Sequence, residues 1–403
     1  MSGGGRLRVL AVTSLFPNAA SPHASAFNRQ QLSELAELCE LEVWAPIPWF
    51  PYSERVAPTS AAALGRNVPS RERIGSVLVE HPRTLHLPVV GRVISGPLYA
   101  GSIARRLWRR RRDFDVVLAT WAYPDGWAVT LLGLGLSTPV VVKVHGSDIN
   151  VVAQKAVQRA QLRMVLPHAA GVIAVSQPLA LRVAELGVSP ERLHRVPNGV
   201  DSGRFHPRDP TRARAALSVP AEANVVVYIG NLKRDKGVLD LIEAWPKVAR
   251  ERAGARLYIV GGGPEERAVN DAAAQTGSIT AVGAVSHAEV AQWMAACDLL
   301  CLPSWDEGTP NVVLEAHASG RPVVASHVGG IPDLISSPVL GRLVPPREPA
   351  RLAEALVSSL ESSGSPDEIA AAAQTISWTE SARRVHRVLQ SAASRLSATN
   401  SGQ

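Results

Sequence analysis

Short apolar runs separated by stretches of helical periodicity recur through both halves of this chain. In the first half the candidate strands are Arg8 to Thr13, Leu41 to Ala45, Val77 to Glu80, Val116 to Thr120, Val140 to Val144, Val172 to Val175 and His194 to Val196. Helical stretches intervene, notably Asn28 to Leu38, Leu98 to Arg112 and Ala153 to Val165. A second series begins at Val225 to Ile229 and continues through Leu257 to Val260, Ile279 to Val282, Leu299 to Leu302 and Val323 to Ala325. Runs that are apolar at every position belong to strands buried on both faces, and the helices between them supply the crossovers that parallel strands need. The pattern predicts an α/β fold of two Rossmann-like domains, with parallel sheets facing across a cleft.

A chain of 403 residues exceeds what one core usually organises, which agrees with two domains. The boundaries are expected at 1–203 for the first, 204–375 for the second and 376–403 for a terminal helix that packs back toward the first and ends in an unstructured tail. Asp201 to Ala223, rich in Pro, Asp and Arg, reads as the interdomain connection. Met1 to Gly5 and the last ten or so residues are expected to be disordered. Hydrophobic residues at 46% with 19% charged describe a globular protein. Cys39, Cys297 and Cys301 are too few for a disulfide framework or a zinc site and point to a reducing, cytoplasmic compartment. Arg6 to Val12 reads as a strand with no cleavage site after it, and Trp127 to Val142 is too short to span a bilayer. The net charge of +7 suits nucleic acid, anionic lipid or anionic nucleotides and does not choose among them.

Local chemistry is concentrated in Trp305-Asp-Glu-Gly-Thr-Pro-Asn-Val-Val-Leu-Glu315. Gly308, Thr309 and Pro310 make a turn, and Pro310 can open a helix because its missing N–H has no partner there in any case. Glu307 then precedes a helix N-terminus and Glu315 lies about one turn inside it. Backbone amides and the positive end of the helix dipole between them suit a diphosphate, and carboxylates suit sugar and ribose hydroxyls. Two such glutamates in isolation read more simply as a cap and a solvated side chain. Their loop, however, follows a buried strand at its carboxyl end, where ligands bind in open α/β sheets.

Gly230-Asn-Leu-Lys-Arg-Asp-Lys236-Gly237 also follows a strand and places Lys236 at a helix entrance. Val260-Gly-Gly-Gly-Pro264 lacks the Gly-x-Gly-x-x-Gly spacing and the later acidic ribose reader, which excludes a nicotinamide dehydrogenase. Val144-His145-Gly146-Ser147-Asp148 stands at another strand end. His145 there is either a core histidine or a ligand-facing one, and Asp148 can equally cap the helix after it. Asp113-Phe-Asp115 opens a strand and is read as structural, so no metal site is expected.

The stretch Gly283 to Ile335 closely resembles the donor-binding signature of family 4 retaining glycosyltransferases, and the likeness extends from Leu7 to Val388. That resemblance implies the GT-B fold and a nucleoside-diphosphate sugar, UDP or GDP, as donor. It implies that Lys236 and an arginine hold the diphosphate. Asn231 occupies the arginine's place, leaving Lys233 or Arg234 to compensate. It implies further that Gly262 lines the base, Glu307 holds the donor sugar and Glu315 the ribose. Gly230, Gly308, Thr309, Pro310, Asn311 and Val312 complete the donor set. His145 would lie near the transferred sugar, with Phe16, Phe27, Tyr123 and Asp148 on the acceptor side. Catalysis would use His145, Lys236 and Glu307 without metal or other cofactor. In the loop before Phe27 the family often has a glycine where Ala24-Ser-Ala26 stands here. The Trp44 to Pro51 loop and Tyr123-Pro-Asp-Gly126 resemble exopolysaccharide and teichuronic-acid-type enzymes, implying a lipid-linked or cell-envelope glycan acceptor. A sugar-nucleotide epimerase and a non-catalytic sugar-nucleotide binder remain alternatives.

Arg105, Arg106, Arg109, Arg110, Arg111 and Arg112 surround Trp108 at the end of a helix. They are either a solvated face or a docking surface for the anionic inner leaflet, which would make the protein peripheral on the membrane. No nucleic acid partner is expected.

Overall fold

The computed structural model describes residues 5–21, 25–56, 61–87, 91–361 and 364–400. They form two compact units, 1–198 with 378–403, and 199–377.

In the first unit ten strands run in chain order: β1 (Arg8–Val12), β2 (Glu40–Trp44), β3 (Ile47–Trp49), β4 (Arg71–Ile74), β5 (Val77–Glu80), β6 (Arg83–Leu85), β7 (Val116–Ala119), β8 (Val140–Val144), β9 (Gly171–Ala174) and β10 (Leu193–Arg195). Eight make one sheet in the order β10-β9-β8-β7-β1-β2-β5-β4, and β3 pairs with β6 apart from it. All are parallel except β4, which runs antiparallel to β5 at the edge. Val9 and Ala11 face a core shared with Leu32 and Leu35 of the helix Ala26–Leu38, and with Val385 and Leu389 of the final helix. That helix, Trp378–Asn400, belongs to this unit, where Thr379 donates to Glu34 (2.7 Å) and Gln31 to Ser381 (3.0 Å).

The second unit contains β11 (Asn224–Ile229), β12 (Ala255–Val260), β13 (Ile279–Gly283), β14 (Leu299–Leu302), β15 (Val323–Ser326) and β16 (Gly341–Val344). They pair in the order β13-β12-β11-β14-β15-β16, all parallel. Counted from β11 this is the doubly wound order 3-2-1-4-5-6. Val225, Val227 and Leu300 pack on one face with Met294 and Val313, while Val226, Tyr228 and Leu299 pack on the other with Trp245 and Leu352.

Every strand expected from an apolar run is present within one or two residues. Those not anticipated are β3, β4, β6 and β16. They lie in a separate ribbon or at a sheet edge and carry Pro or Arg, so no continuous apolar run marks them. Three other expectations need correction. Asp201 to Ala223 is a folded part of the second unit: Phe205 is in the core, and Arg214 makes a two-pronged bond to Asp298 (2.8 Å each). The helix expected from Ala153 begins at Ala156, because Lys155 is extended. The last ten residues are helical as far as Asn400. Ala24 and Met1 to Gly4 lie outside the described residues.

Candidate active site

Strand order reverses between β11 and β14, which are adjacent through Val226 to Leu299 and Val227 to Leu300. The loops leaving these two strands border the switch-point crevice, where open α/β sheets bind ligands. They carry Gly230 to Gly237 and Pro303 to Pro310, and several contacts lock them together. The Trp305 amide donates to the Asp235 carbonyl (2.8 Å) and its indole N–H to Asp240 (2.6 Å). Gly237 has φ +70°, and a Cβ there would lie 1.9 Å from the Pro303 carbonyl oxygen, so only glycine lets the loops meet.

Lys236 and Glu307 come together across this seam. The lysine Nζ donates to Glu307 Oε1 at 2.7 Å, and Ser304 Oγ donates to the same oxygen at 2.8 Å. Both side chains are partly open to solvent. On its other side the Glu307 loop rests on Gly329, and the Gly330 amide donates to the Gly308 carbonyl (2.9 Å). Pro310 is the N-cap, not the first helical residue. Its extended ψ of 117° starts the helix Asn311–Ala318 one position later. Thr309 and Pro310 are buried, and Asn311 and Val312 form the first turn. Thr309 Oγ1 has no hydrogen-bond partner among the described residues.

The Val260 to Pro264 segment is the strand-to-helix turn expected of it. Gly261 and Gly263 press on Gly230 and Leu232, and the Leu232 amide donates to the Gly262 carbonyl (3.0 Å). At Gly262 itself a Cβ would meet only Ala284, at 3.6 Å. Tyr228 holds the Asn231 carbonyl (2.9 Å) and leaves the Asn231 side chain at the surface beside the exposed Lys233 and Arg234.

Glu315 has a partner that sequence reasoning missed. His287 Nε2 lies 2.9 Å from its Oε1, and Arg204 Nη1 lies 2.8 Å from His287 Nδ1. The available signal was the capping box Ser286-His-Ala-Glu289, which fixes His287 as the first residue of the helix His287–Ala296.

In the first unit His145 follows β8 with its ring tilted against Phe27 (centroids 4.9 Å apart) and stacked near Trp121 (6.4 Å). Both ring nitrogens are buried without a hydrogen-bond partner among the described residues. Burial, and secondarily the Lys143 charge, hold the imidazole well below its ordinary pKa and therefore neutral. Lys143, also missed, is fully buried and donates to Gln31 and to Asn198 (3.1 Å); burial pushes it down to about 7.

The Asp148 carboxylate is buried and receives the amides of Ala122 (3.0 Å), His145 (3.1 Å) and Gly146 (2.9 Å). Tyr123 is buried too, its hydroxyl accepting from the Gly96 amide (2.9 Å), and Phe16 belongs to the core. Ser25, in the loop where the family often has glycine, takes a left-handed φ of 49°.

The arginine run divides. Arg106 bonds Glu80 and stacks over Trp44, while Arg110 bonds Glu42 (2.9 Å) and Asp113 (2.9 Å); both are tied into the unit and not available as docking charges. Arg111 folds over Trp108 (4.9 Å), whereas Arg105, Arg109 and Arg112 are exposed with Trp108. Asp115 bonds the Arg8 amide (2.8 Å), a structural role. No helix among the described residues is long and apolar enough to cross a membrane, and none of their His, Cys, Asp and Glu side chains gather in threes as a metal would require.

The second unit is doubly wound, with Lys236 and Glu307 meeting at its switch point, the fold is that of GT-B glycosyltransferases, and the chain belongs to glycosyltransferase family 4. It matches the family described as Glycosyltransferase Family 4 over residues 33–204 and that described as Glycosyl transferases group 1 over residues 223–362. It is 30% identical over 363 residues to D-inositol 3-phosphate glycosyltransferase 1 of Catenulispora acidiphila, covering 82% of this chain and 85% of that one. To TuaC of Bacillus subtilis, named as a teichuronic acid biosynthesis glycosyltransferase, it is 29% identical over 370 residues, 87% and 88% of the two chains. Its fold is similar to that of Anabaena HepE in complex with UDP (TM-score 0.70, 20% identity, 96% of this chain and 100% of that one). The protein is an enzyme, a glycosyltransferase.

Proposed function

We propose that this transferase moves a hexose-type sugar from UDP or GDP to a hydroxyl of a lipid-linked or cell-envelope glycan, with retention of anomeric configuration and without metal. The observation that carries this reading is the Lys236–Glu307 pair at the switch point of the second unit. An ammonium has three donors. One meets Glu307, and the others can hold oxygens of the diphosphate together with the first-turn amides of Asn311–Ala318, stabilising charge as the leaving group departs. Glu307 holds sugar hydroxyls and Glu315 the ribose. The acceptor oxygen attacks C1 from the face the diphosphate leaves, the C1–O(phosphate) electron pair departs with the phosphate, and the acceptor proton passes to that phosphate oxygen. UDP in HepE and the name of TuaC support the donor and acceptor classes.

The test is a screen of radiolabelled UDP and GDP sugars against a membrane extract, with and without EDTA. The expected product retains the donor's configuration and forms equally in EDTA. Inversion overturns the stereochemical reading, recovery only with magnesium or manganese overturns the metal-free one, and a changed sugar without acceptor identifies an epimerase.

The exposed Arg105, Arg109 and Arg112 with Trp108 form, in the same reading, a docking face for an anionic leaflet, each arginine near the surface contributing about 1 kcal/mol. Leu131 and Leu134 of the adjacent helix Trp127–Leu136 add exposed apolar surface. Sedimentation with anionic vesicles is expected to capture the protein at low salt and to fail with neutral lipid, with high salt, or after Arg105, Arg109 and Arg112 are changed to Gln. Binding that ignores all three changes means the arginines are only surface.

A further inference from the structure

Within the second unit, three side chains distant in sequence form a line that ends at Glu315. Arg204 Nη1 is 2.8 Å from His287 Nδ1, and His287 Nε2 is 2.9 Å from Glu315 Oε1. An arginine can only donate, so Nδ1 must be the acceptor, and the ring proton must sit on Nε2 and point at the carboxylate. The ring is also fixed mechanically. His287 is locked at a capped helix start, with Ser286 and Glu289 bonded reciprocally, and it packs against the buried Phe205 ring at 5.2 Å. Arg204 is itself close to Asp201 (3.7 Å), which sits three residues back on the same turn. Glu315, whose side chain is 14% exposed and which lies one turn inside its helix, is therefore held in one rotamer by a donor whose tautomer is set from behind.

A carboxylate has about four lone-pair directions. With one used by His287, the others can receive the two adjacent hydroxyls of a ribose. We propose that His287, oriented by Arg204, is a positioning residue that sets Glu315 to read the ribose of a nucleoside diphosphate, and so helps determine the enzyme's preference for ribo- over deoxyribonucleotides. This rests on the reading of Glu315 as the ribose acceptor.

The experiment compares calorimetric affinities for UDP and GDP, then for the 2′-deoxy and 3′-deoxy forms of whichever binds more tightly. The proteins are wild type, Glu315→Gln, His287→Phe, His287→Gln and Arg204→Leu. Hydrogen bonds to a charged group predict that losing a hydroxyl weakens binding to wild type on the order of 10- to 100-fold. In His287→Phe, which keeps a ring against Phe205 but no donor, that ratio is expected to fall to about threefold or less. His287→Gln, whose amide nitrogen can occupy the Nε2 position, should restore most of it, and Arg204→Leu should give an intermediate ratio. The ratio is taken on one preparation with two ligands, so a partly unfolded variant does not distort it. Should Glu315→Gln keep full discrimination, the ribose reading itself falls. Should Glu315→Gln lose it while His287→Phe keeps it, or should His287→Phe weaken ribo and deoxy forms alike, the reading survives and the positioning role is overturned.

Discussion

Glu307→Gln is expected to lower turnover on the order of 10²- to 10³-fold while leaving nucleotide affinity within about threefold, because sugar contacts tighten as the bond to C1 breaks whereas nucleotide contacts do not change. Oε1 of Glu307 receives both Lys236 (2.7 Å) and Ser304 (2.8 Å). Glutamine keeps the length but removes the charge that fixes the ammonium's direction, so Lys236 still reaches the bound diphosphate but is no longer aimed at the oxygen on which charge develops as the bond breaks. Lys236→Met should show a comparable loss, and the double variant little more than either, since the two act as one unit. Glu315→Ala should do the reverse, raising the donor KM with kcat changed less, because a ribose contact is equally strong before and during reaction. Steady-state kinetics with the donor from the screen separate the two parameters. Equal and small effects from Glu307→Gln and Glu315→Ala on both would sink the assignment.

Gly329→Ala should abolish most activity at a position that carries no chemistry of its own. Gly329 has φ +54°, and a Cβ there would lie 1.7 Å from the carbonyl oxygen of Glu307 and 2.8 Å from its carbonyl carbon. Those are backbone atoms in a loop pinned on its far side by Lys236, Trp305 and Gly237, so the strain cannot be relieved by a side-chain rotation. Left-handed strain and overpacking together predict destabilisation of about 2 to 5 kcal/mol. A shift of Glu307 by about 1 Å predicts on the order of 10²-fold loss of turnover. Gly277→Ala is the control, because a Cβ there meets nothing within 4 Å. Thermal unfolding and turnover measured on both variants decide the matter. Wild-type melting and turnover in Gly329→Ala would show that the loop is not held as described.

Parallel strands in the middle of the two sheets were legible because burial on both faces leaves an unbroken apolar run, as in Val140–Val144 or Asn224–Ile229. Edge strands such as β4, with Arg71 and Arg73 turned outward, lack that signal. Glu307, Glu315 and Lys236 were legible for a different reason. Each sits in the loop or the helix that follows a strand, and the loop is encoded by a few consecutive residues: glycines where φ must be positive, a proline just before a helix begins.

What the sequence determined by itself was therefore local: two series of alternating strands and helices, and the short loops at their carboxyl ends that carry a lysine and two glutamates. Which of those groups would touch was decided by the tertiary structure alone. Lys236 meets Glu307 across 71 residues, His287 meets Glu315 across 28 and Arg204 meets His287 across 83. Lys143 is buried against Gln31 and Asn198, 112 and 55 residues away. The Lys236–Glu307 meeting depends on strand order, since β11 and β14 are neighbours in the sheet although β12 and β13 lie between them in the chain. Hydrophobic periodicity records that a strand is buried but not which strand lies beside it, so the partners of each charged group are specified only once the sheet has closed its order.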